Sequence, residues 1–240
     1  MRRAPAVLAA LAAVLVPAAA AAAPGFTLPA GCTAYLTVQS RSCTVSHHFT
    51  CAGDPEGWQR RIDLDGEGMV YFGAIDAETQ WVESVHMLSG HSERLEEAPA
   101  DPASFSTLLA TGIDTWDFRT LSEEAGTTRY VGQDRLAGTS EVIDGVALEQ
   151  TEFAITAYDE AGAEIWRSEG REYISREWRM FLSGVSSVTV GAESWTTDDR
   201  PADFIFPGEA GFLSPVPTHG CGVVMSDLPA GPAATGRAPR

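Results

Sequence analysis

The stretch WQRRIDLDGEGMVYFGAI, residues 58–75, decides the fold class because it contains two strand patterns and the turn between them. Apolar Ile62 and Leu64 alternate with charged Arg61, which is the period of two expected of a strand with one buried face. Asp65-Gly66 then favours a tight hairpin turn, since this pair tolerates positive φ angles. The apolar run that follows the turn is predicted to return as the partner strand.

Similar turn signals recur along the chain, so the same hairpin is expected several times over. Asp-Gly stands at 144–145, and Glu-Ala-Gly stands at 124–126 and again at 160–162. Sequential hairpins form a meander, and about ten to twelve twisted strands curl rather than stay flat. The sequence therefore predicts an all-β fold, a curved antiparallel meander that forms a barrel, a spiral or a half-barrel.

One short helix is predicted over residues 102–111. Asp101 is a suitable N-cap, Pro102 suits the first turn, and Gly112 suits the end of the helix. Phe105 and Leu108 belong to a single apolar stripe, and a helix with one apolar stripe must pack on another element. We expect that element to be a face of the sheet.

The N-terminal residues predict export. Arg2 and Arg3 precede an Ala/Leu/Val run that ends in small residues, which is the pattern of a cleaved signal peptide, residues 1–22. The apolar run is too short to span a membrane, so a membrane-spanning protein is not expected. A single β-rich domain is predicted for residues 23–228. The Pro/Gly/Ala-rich tail, residues 229–240, is predicted to be disordered.

The charge balance bears on possible partners. Removing Arg2 and Arg3 with the signal peptide leaves 14 basic residues against 33 acidic ones, a net charge of −19. A surface of this sign repels nucleic acid and anionic lipid headgroups. Nucleic-acid binding is therefore not expected. Separately, the predicted signal peptide indicates a periplasmic protein.

Four cysteines, Cys32, Cys43, Cys51 and Cys221, predict two disulfide bonds, because an exported protein meets an oxidising environment. Spacing alone leaves all three pairings open. The preferred interpretation joins Cys32 to Cys43 as a local bridge and Cys51 to Cys221 as a long one.

The segment GTSEVIDGVALEQTEFAITAYDEAGAEIWRSEG, residues 138–170, forms a strand, an Asp-Gly turn, a long strand, a second turn and a further strand. Following an exported N-terminus, this block resembles the LolA-like periplasmic half-barrel carriers of lipoproteins. The block that carries the resemblance spans 33 of the 240 residues and includes no diagnostic motif. It implies a curved sheet with a helical lid over an apolar concavity.

The segment THGCGVVM, residues 218–225, is similar to the Ser-His-Gly-Cys segment of L,D-transpeptidases, in which the cysteine is the nucleophile. The resemblance implies a remote alternative function, an enzyme that uses Cys221 with His219. The arginine that follows the cysteine in that family is missing, and a disulfide at Cys221 would block the thiol. No catalytic residue is therefore predicted.

Two histidine-containing groups are candidate metal sites. Adjacent His47 and His48 point to opposite faces of a strand, so they cannot both join one ligand set with the cysteines nearby. His86 and His91 flank the turn around Ser89-Gly90, where side chains usually face water. The sequence predicts no metal and no cofactor.

Six tryptophans are spread at about one per predicted strand. Several of them would line an apolar binding site if they converged on the concave face. The predicted ligand-binding residues are Met69, Trp81, Phe105 and Trp116. The predicted function is non-enzymatic binding of an apolar or amphipathic envelope molecule. The alternative is an envelope structural or interaction protein that has no ligand.

Overall fold

The computed structural model of the protein describes residues 26–222. The predicted signal peptide and tail therefore lie outside the described residues. Within them the chain forms one helix, α1 (Phe105–Thr111), and thirteen strands. The strands are β1 (Cys32–Ser40), β2 (Thr44–Cys51), β3 (Gln59–Leu64), β4 (Met69–Ile75), β5 (Trp81–His86), β6 (His91–Leu95), β7 (Ile113–Ser122), β8 (Gly126–Ile143), β9 (Val146–Tyr158), β10 (Glu164–Ser175), β11 (Met180–Val190), β12 (Glu193–Asp198) and β13 (Pro201–Ile205).

All thirteen strands belong to one antiparallel sheet. Strands β1 to β12 follow each other as a continuous meander, and β13 pairs with the free side of β1. The two edge strands, β12 and β13, are not hydrogen-bonded to each other, although only residues 199 and 200 separate them in sequence. The predicted all-β curved meander is confirmed, and its form is an open, half-barrel-like sheet.

A buried cluster holds the sheet in its curved shape. Leu36 of β1, Leu148 of β9, Met180 of β11 and Phe204 of β13 belong to the same cluster, although β1 and β9 are far apart in strand order. Burying one large apolar side chain contributes about 1.5–3 kcal/mol. The curvature therefore follows from apolar side chains that meet across the concave side.

The predicted hairpin turns occur, with one difference in length. At Asp144-Gly145 both φ angles are positive, +46° and +80°, and Ile143 pairs directly with Val146 as in a two-residue turn. The turn after β3 is longer. The Asp65 amide donates to the Gly68 carbonyl, and the Asp65 carboxylate accepts the amides of Glu67 and Gly68. The Asp65 side chain thus stabilises a four-residue turn in place of the tight turn predicted there.

Helix α1 packs on the sheet as predicted but begins later than expected. Ser104, rather than Asp101, is the N-cap, and its hydroxyl accepts the Thr107 amide over 3.1 Å. Asp101 instead forms a β-bridge with Asp117, which prevents it from starting the helix. Gly112 ends the helix in the left-handed region at φ +84°.

The structure contains the two predicted disulfide bonds but corrects the preferred pairing. The bonds are Cys32–Cys51 and Cys43–Cys221. Cys32 and Cys51 lie directly opposite each other in the β1–β2 register, whereas Cys43 lies at the turn end of the same hairpin. An antiparallel hairpin keeps these two ends apart, so a Cys32–Cys43 bond would have to span the length of a strand.

The residues after β13 form a strap along the outer side of β1. The Gln39 amide nitrogen donates to the Val216 carbonyl, and its oxygen accepts the Thr218 amide. Thr37 Oγ1 accepts the Leu213 amide over 3.0 Å. The Cys43–Cys221 disulfide fixes the end of this strap to the turn between β1 and β2.

Candidate functional site

The concave side of the sheet contains a cavity of about 790 Å³. Its lining side chains come from strands β2 to β11, so the cavity runs across most of the sheet. Pockets that hold small organic ligands usually measure about 300–1,000 Å³. The cavity is therefore large enough for one ligand of this size.

One side of the cavity is an aromatic wall, defined by Trp81, Trp116, Phe118, Tyr130 and Trp166. Trp81 meets Phe118 and Tyr130 edge-on at centroid distances of 5.6 and 5.4 Å. Trp116 and Trp166 extend the group on either side through Phe118 and Tyr130. Aromatic pairs at these distances stabilise one another beyond simple burial. The wall is thus a continuous, ordered apolar surface.

A glycine in the neighbouring strand makes the aromatic wall possible. A Cβ atom at Gly132 of β8 would collide with the indole ring of Trp116 and with the Ala154 carbonyl oxygen. The ring of Trp116 can therefore approach the β8 backbone this closely only because position 132 has no side chain. Its ring nitrogen also donates a hydrogen bond to Asp134 over 3.0 Å.

Another part of the cavity lining is polar and adjoins the aromatic wall at Asp134. Arg61 lies over the Tyr71 ring at 4.9 Å from the centroid, and its Nε lies 3.1 Å from Asp63. Asp134 and Glu172 also line the cavity. The alternation in β3, β8 and β10 turns Arg61, Asp134 and Glu172 inward. In β3 the buried residues Ile62 and Leu64 belong to a different cluster, packed with Phe26 and Leu28.

The two inward carboxylates hold their protons unusually strongly. Burial raises the pKa of Asp134 to about 6, although Trp116 donates a hydrogen bond to it. Burial, assisted by nearby Asp134, raises the pKa of Glu172 to about 8 in spite of Arg61. At neutral pH Glu172 is therefore mostly protonated and can donate a hydrogen bond. With the fixed positive charge of Arg61, it gives the polar side both a donor and a cation.

The predicted ligand-binding residues divide into two groups. Trp81 and Trp116 line the cavity and belong to the aromatic wall. Phe105 does not line it; the ring is buried under α1 and packs edge-on against Phe181, which does line the cavity. Met69 does not line it either, and is 42% exposed at the start of β4. No residue of α1 is among the lining residues, so the helix does not form the lid implied by the resemblance.

The structure also shows the surroundings of the cysteine and histidine motifs. Cys221 is bonded to Cys43, and none of the four cysteines is free, so the structure offers no thiol nucleophile. His219 contacts Asp203 over 2.6 Å. His48 lines the cavity, while His47 stacks on Phe26 at 5.2 Å, so the two histidines do face opposite sides of β2.

Comparison with protein families, with curated proteins and with solved structures finds no match for this chain. In the part of the chain that the structure describes, no helix is long and apolar enough to cross a membrane.

Proposed function

We propose that the protein is an exported, non-enzymatic carrier that binds one amphipathic envelope molecule in its cavity. The observation that carries this proposal is the cavity of about 790 Å³ with an aromatic wall on one side. A protein without a ligand would gain stability by filling such a space with side chains, because interiors are normally close-packed.

The division of the cavity supports an amphipathic ligand rather than a purely apolar one. The aromatic wall suits a hydrocarbon or ring system, because it can remove apolar surface from water. Arg61 and the mostly protonated Glu172 suit a polar headgroup that accepts hydrogen bonds. A purely apolar ligand would cover Glu172 and Arg61 without offering either group a hydrogen-bond acceptor, which is costly for polar groups taken out of water.

Several features support export to the periplasm and similarity in role to LolA-like carriers. Two disulfide bonds fit an oxidising compartment, and the predicted signal peptide would deliver the chain there. The open, curved sheet is the architecture that the resemblance implies. Helix α1 does not line the cavity, so the helical lid that the resemblance implies has no support.

Replacing Trp81 by alanine is expected to weaken ligand binding at least tenfold. Trp81 is 39% exposed, so its loss should remove contact surface from the cavity without unfolding the protein. Stacking and burial against one tryptophan contribute about 1.5–3 kcal/mol, which corresponds to a tenfold change or more. The measurement is a fluorescence titration with the apolar probe N-phenyl-1-naphthylamine.

Ile165→Ala is the matched control for this titration. Ile165 is also apolar and 42% exposed on a strand, but it does not line the cavity. Its replacement should leave the affinity for the probe within about twofold of the unchanged protein. Equal effects of the two substitutions, or the absence of a saturable site, would contradict the carrier function and favour the envelope structural protein.

A further inference from the structure

The hairpin formed by β5 and β6 brings three metal-binding side chains onto one face. His86 and His91 are directly opposite each other in the strand register. Glu93 lies two residues after His91 and pairs with Ser84, so it points to the same side as both histidines. The arrangement is therefore built into the backbone pairing and does not depend on a flexible loop.

The distances within this His86–His91–Glu93 cluster fit a shared cation. The Nε2 atoms of His86 and His91 lie 3.8 and 3.6 Å from the two carboxylate oxygens of Glu93. These separations are too long for good hydrogen bonds. Two ligand atoms that each lie about 2.0–2.2 Å from a tetrahedral metal are about 3.4 Å apart. One atom from each residue falls within 4.8 Å of the others, so small side-chain rotations would complete the site.

Neighbouring groups hold the three side chains in place. Ser89 Oγ lies 2.8 Å from His91 Nδ1, which leaves Nε2 of that ring facing Glu93. The Tyr71 ring packs edge-on against His86 at 5.4 Å. Tyr130 donates to Glu93, whose side chain is only 8% exposed. Supporting contacts of this kind orient the ligands in protein metal sites.

We propose that His86, His91 and Glu93 bind a divalent transition-metal ion, with zinc as the best fit. Two imidazole nitrogens and one carboxylate oxygen are a ligand set that zinc commonly takes, whereas calcium and magnesium prefer sites made of oxygen atoms. Three protein ligands leave a fourth position for water or another molecule. His86 and Glu93 also line the cavity, so the ion would lie at its wall. The proposal of a metal site does not rest on the proposed carrier function, because the ligands are argued from the β5–β6 hairpin alone.

The test uses purified protein without a histidine tag, freed of metal by a chelator. Calorimetric titration with Zn²⁺ should show one equivalent bound, and Co²⁺ should give the visible absorption of a four-coordinate site. His91→Ala and Glu93→Gln should each weaken Zn²⁺ binding at least tenfold, because each removes one of three ligands. Excess Mg²⁺ should not displace zinc from a site that contains histidine ligands. Displacement by Mg²⁺ would indicate that exposed acidic residues alone bind the zinc.

His219→Ala is the matched control, because His219 contacts a carboxylate, Asp203, outside the cluster. It should bind Zn²⁺ as the unchanged protein does. The proposal fails if the unchanged protein binds no stoichiometric zinc, or if His91→Ala retains full affinity. It also fails if His219→Ala loses as much affinity as His91→Ala. Circular dichroism checks that each variant folds. If Glu93→Gln unfolds, the zinc affinity of His91→Ala alone decides the proposal. His91 lies at the partly exposed end of the hairpin, so its replacement should leave the fold intact.

Discussion

Replacing both Cys43 and Cys221 by serine is expected to lower the free energy of unfolding by about 5 kcal/mol, the largest effect anticipated for this protein. The bond closes a loop between residues 178 positions apart. Cutting it releases that constraint on the unfolded chain and increases its entropy. It also frees the C-terminal strap from the β1–β2 turn, where the Cys43 amide donates to the His219 carbonyl over 3.0 Å.

The other disulfide provides the control for this prediction. Cys32 and Cys51 are only 19 positions apart, so the paired serine substitution there should cost about 3 kcal/mol. Urea unfolding of the two double variants, without reducing agent, measures the difference. Equal losses, or a larger loss for Cys32 and Cys51, would show that the long loop does not make the main contribution.

Raising the pH from about 4.5 to 8 is expected to destabilise the fold through Glu172. Its pKa is raised from 4.5 to about 8, mainly by burial. Within that window the folded state holds a proton that the unfolded chain has released. The free energy of unfolding therefore falls by as much as about 1.4 kcal/mol for each pH unit. Over the whole window this sets an upper limit of about 5 kcal/mol, and the expected loss is smaller because Glu172 retains some contact with solvent in the cavity.

Glu172→Gln isolates this contribution. The variant should match the unchanged protein near pH 4.5 and should be clearly more stable at pH 9, as followed by urea unfolding at each pH. Two buried histidines, His47 and His48, also make stability depend on pH. Burial lowers the pKa of both, which reduces stability as the pH falls below 6.5. Comparing Glu172→Gln with the unchanged protein at each pH removes their contribution. Glu169→Gln, on the opposite and exposed face of β10, should follow the unchanged protein throughout. If the stability of Glu172→Gln also equals that of the unchanged protein at every pH, burial does not raise the pKa of Glu172.

Local patterns in the sequence were enough to predict the fold class. Alternation around Ile62 and Leu64 and the Asp144-Gly145 turn both correspond to observed strands and a hairpin. Features that depend on distant residues were not accessible. The helix begins at Phe105 because Asp101 pairs with Asp117. The disulfide pairing follows from the β1–β2 register, which sequence spacing does not specify.

The site was predicted only in part, for a physical reason. Abundant tryptophan indicated an aromatic lining, and Trp81 and Trp116 do line the cavity. Arg61 and Glu172 were missed because a polar position in an alternating strand normally faces solvent, whereas here the polar face of β3 turns inward. The signal was present in the alternation of Arg61 and Asp63 with Ile62 and Leu64. Alternation separates the two faces of a strand, but it does not specify which face becomes the concave one.

The carrier function is tested by native mass spectrometry of protein purified gently from the cells that make it, followed by solvent extraction of any bound molecule. A carrier should appear as a complex with one bound amphipathic molecule in the cavity of about 790 Å³. N-phenyl-1-naphthylamine should displace that molecule, and the Trp81→Ala variant should carry less of it. Protein that has only the mass of its own chain, together with no saturable probe site, would contradict the carrier function.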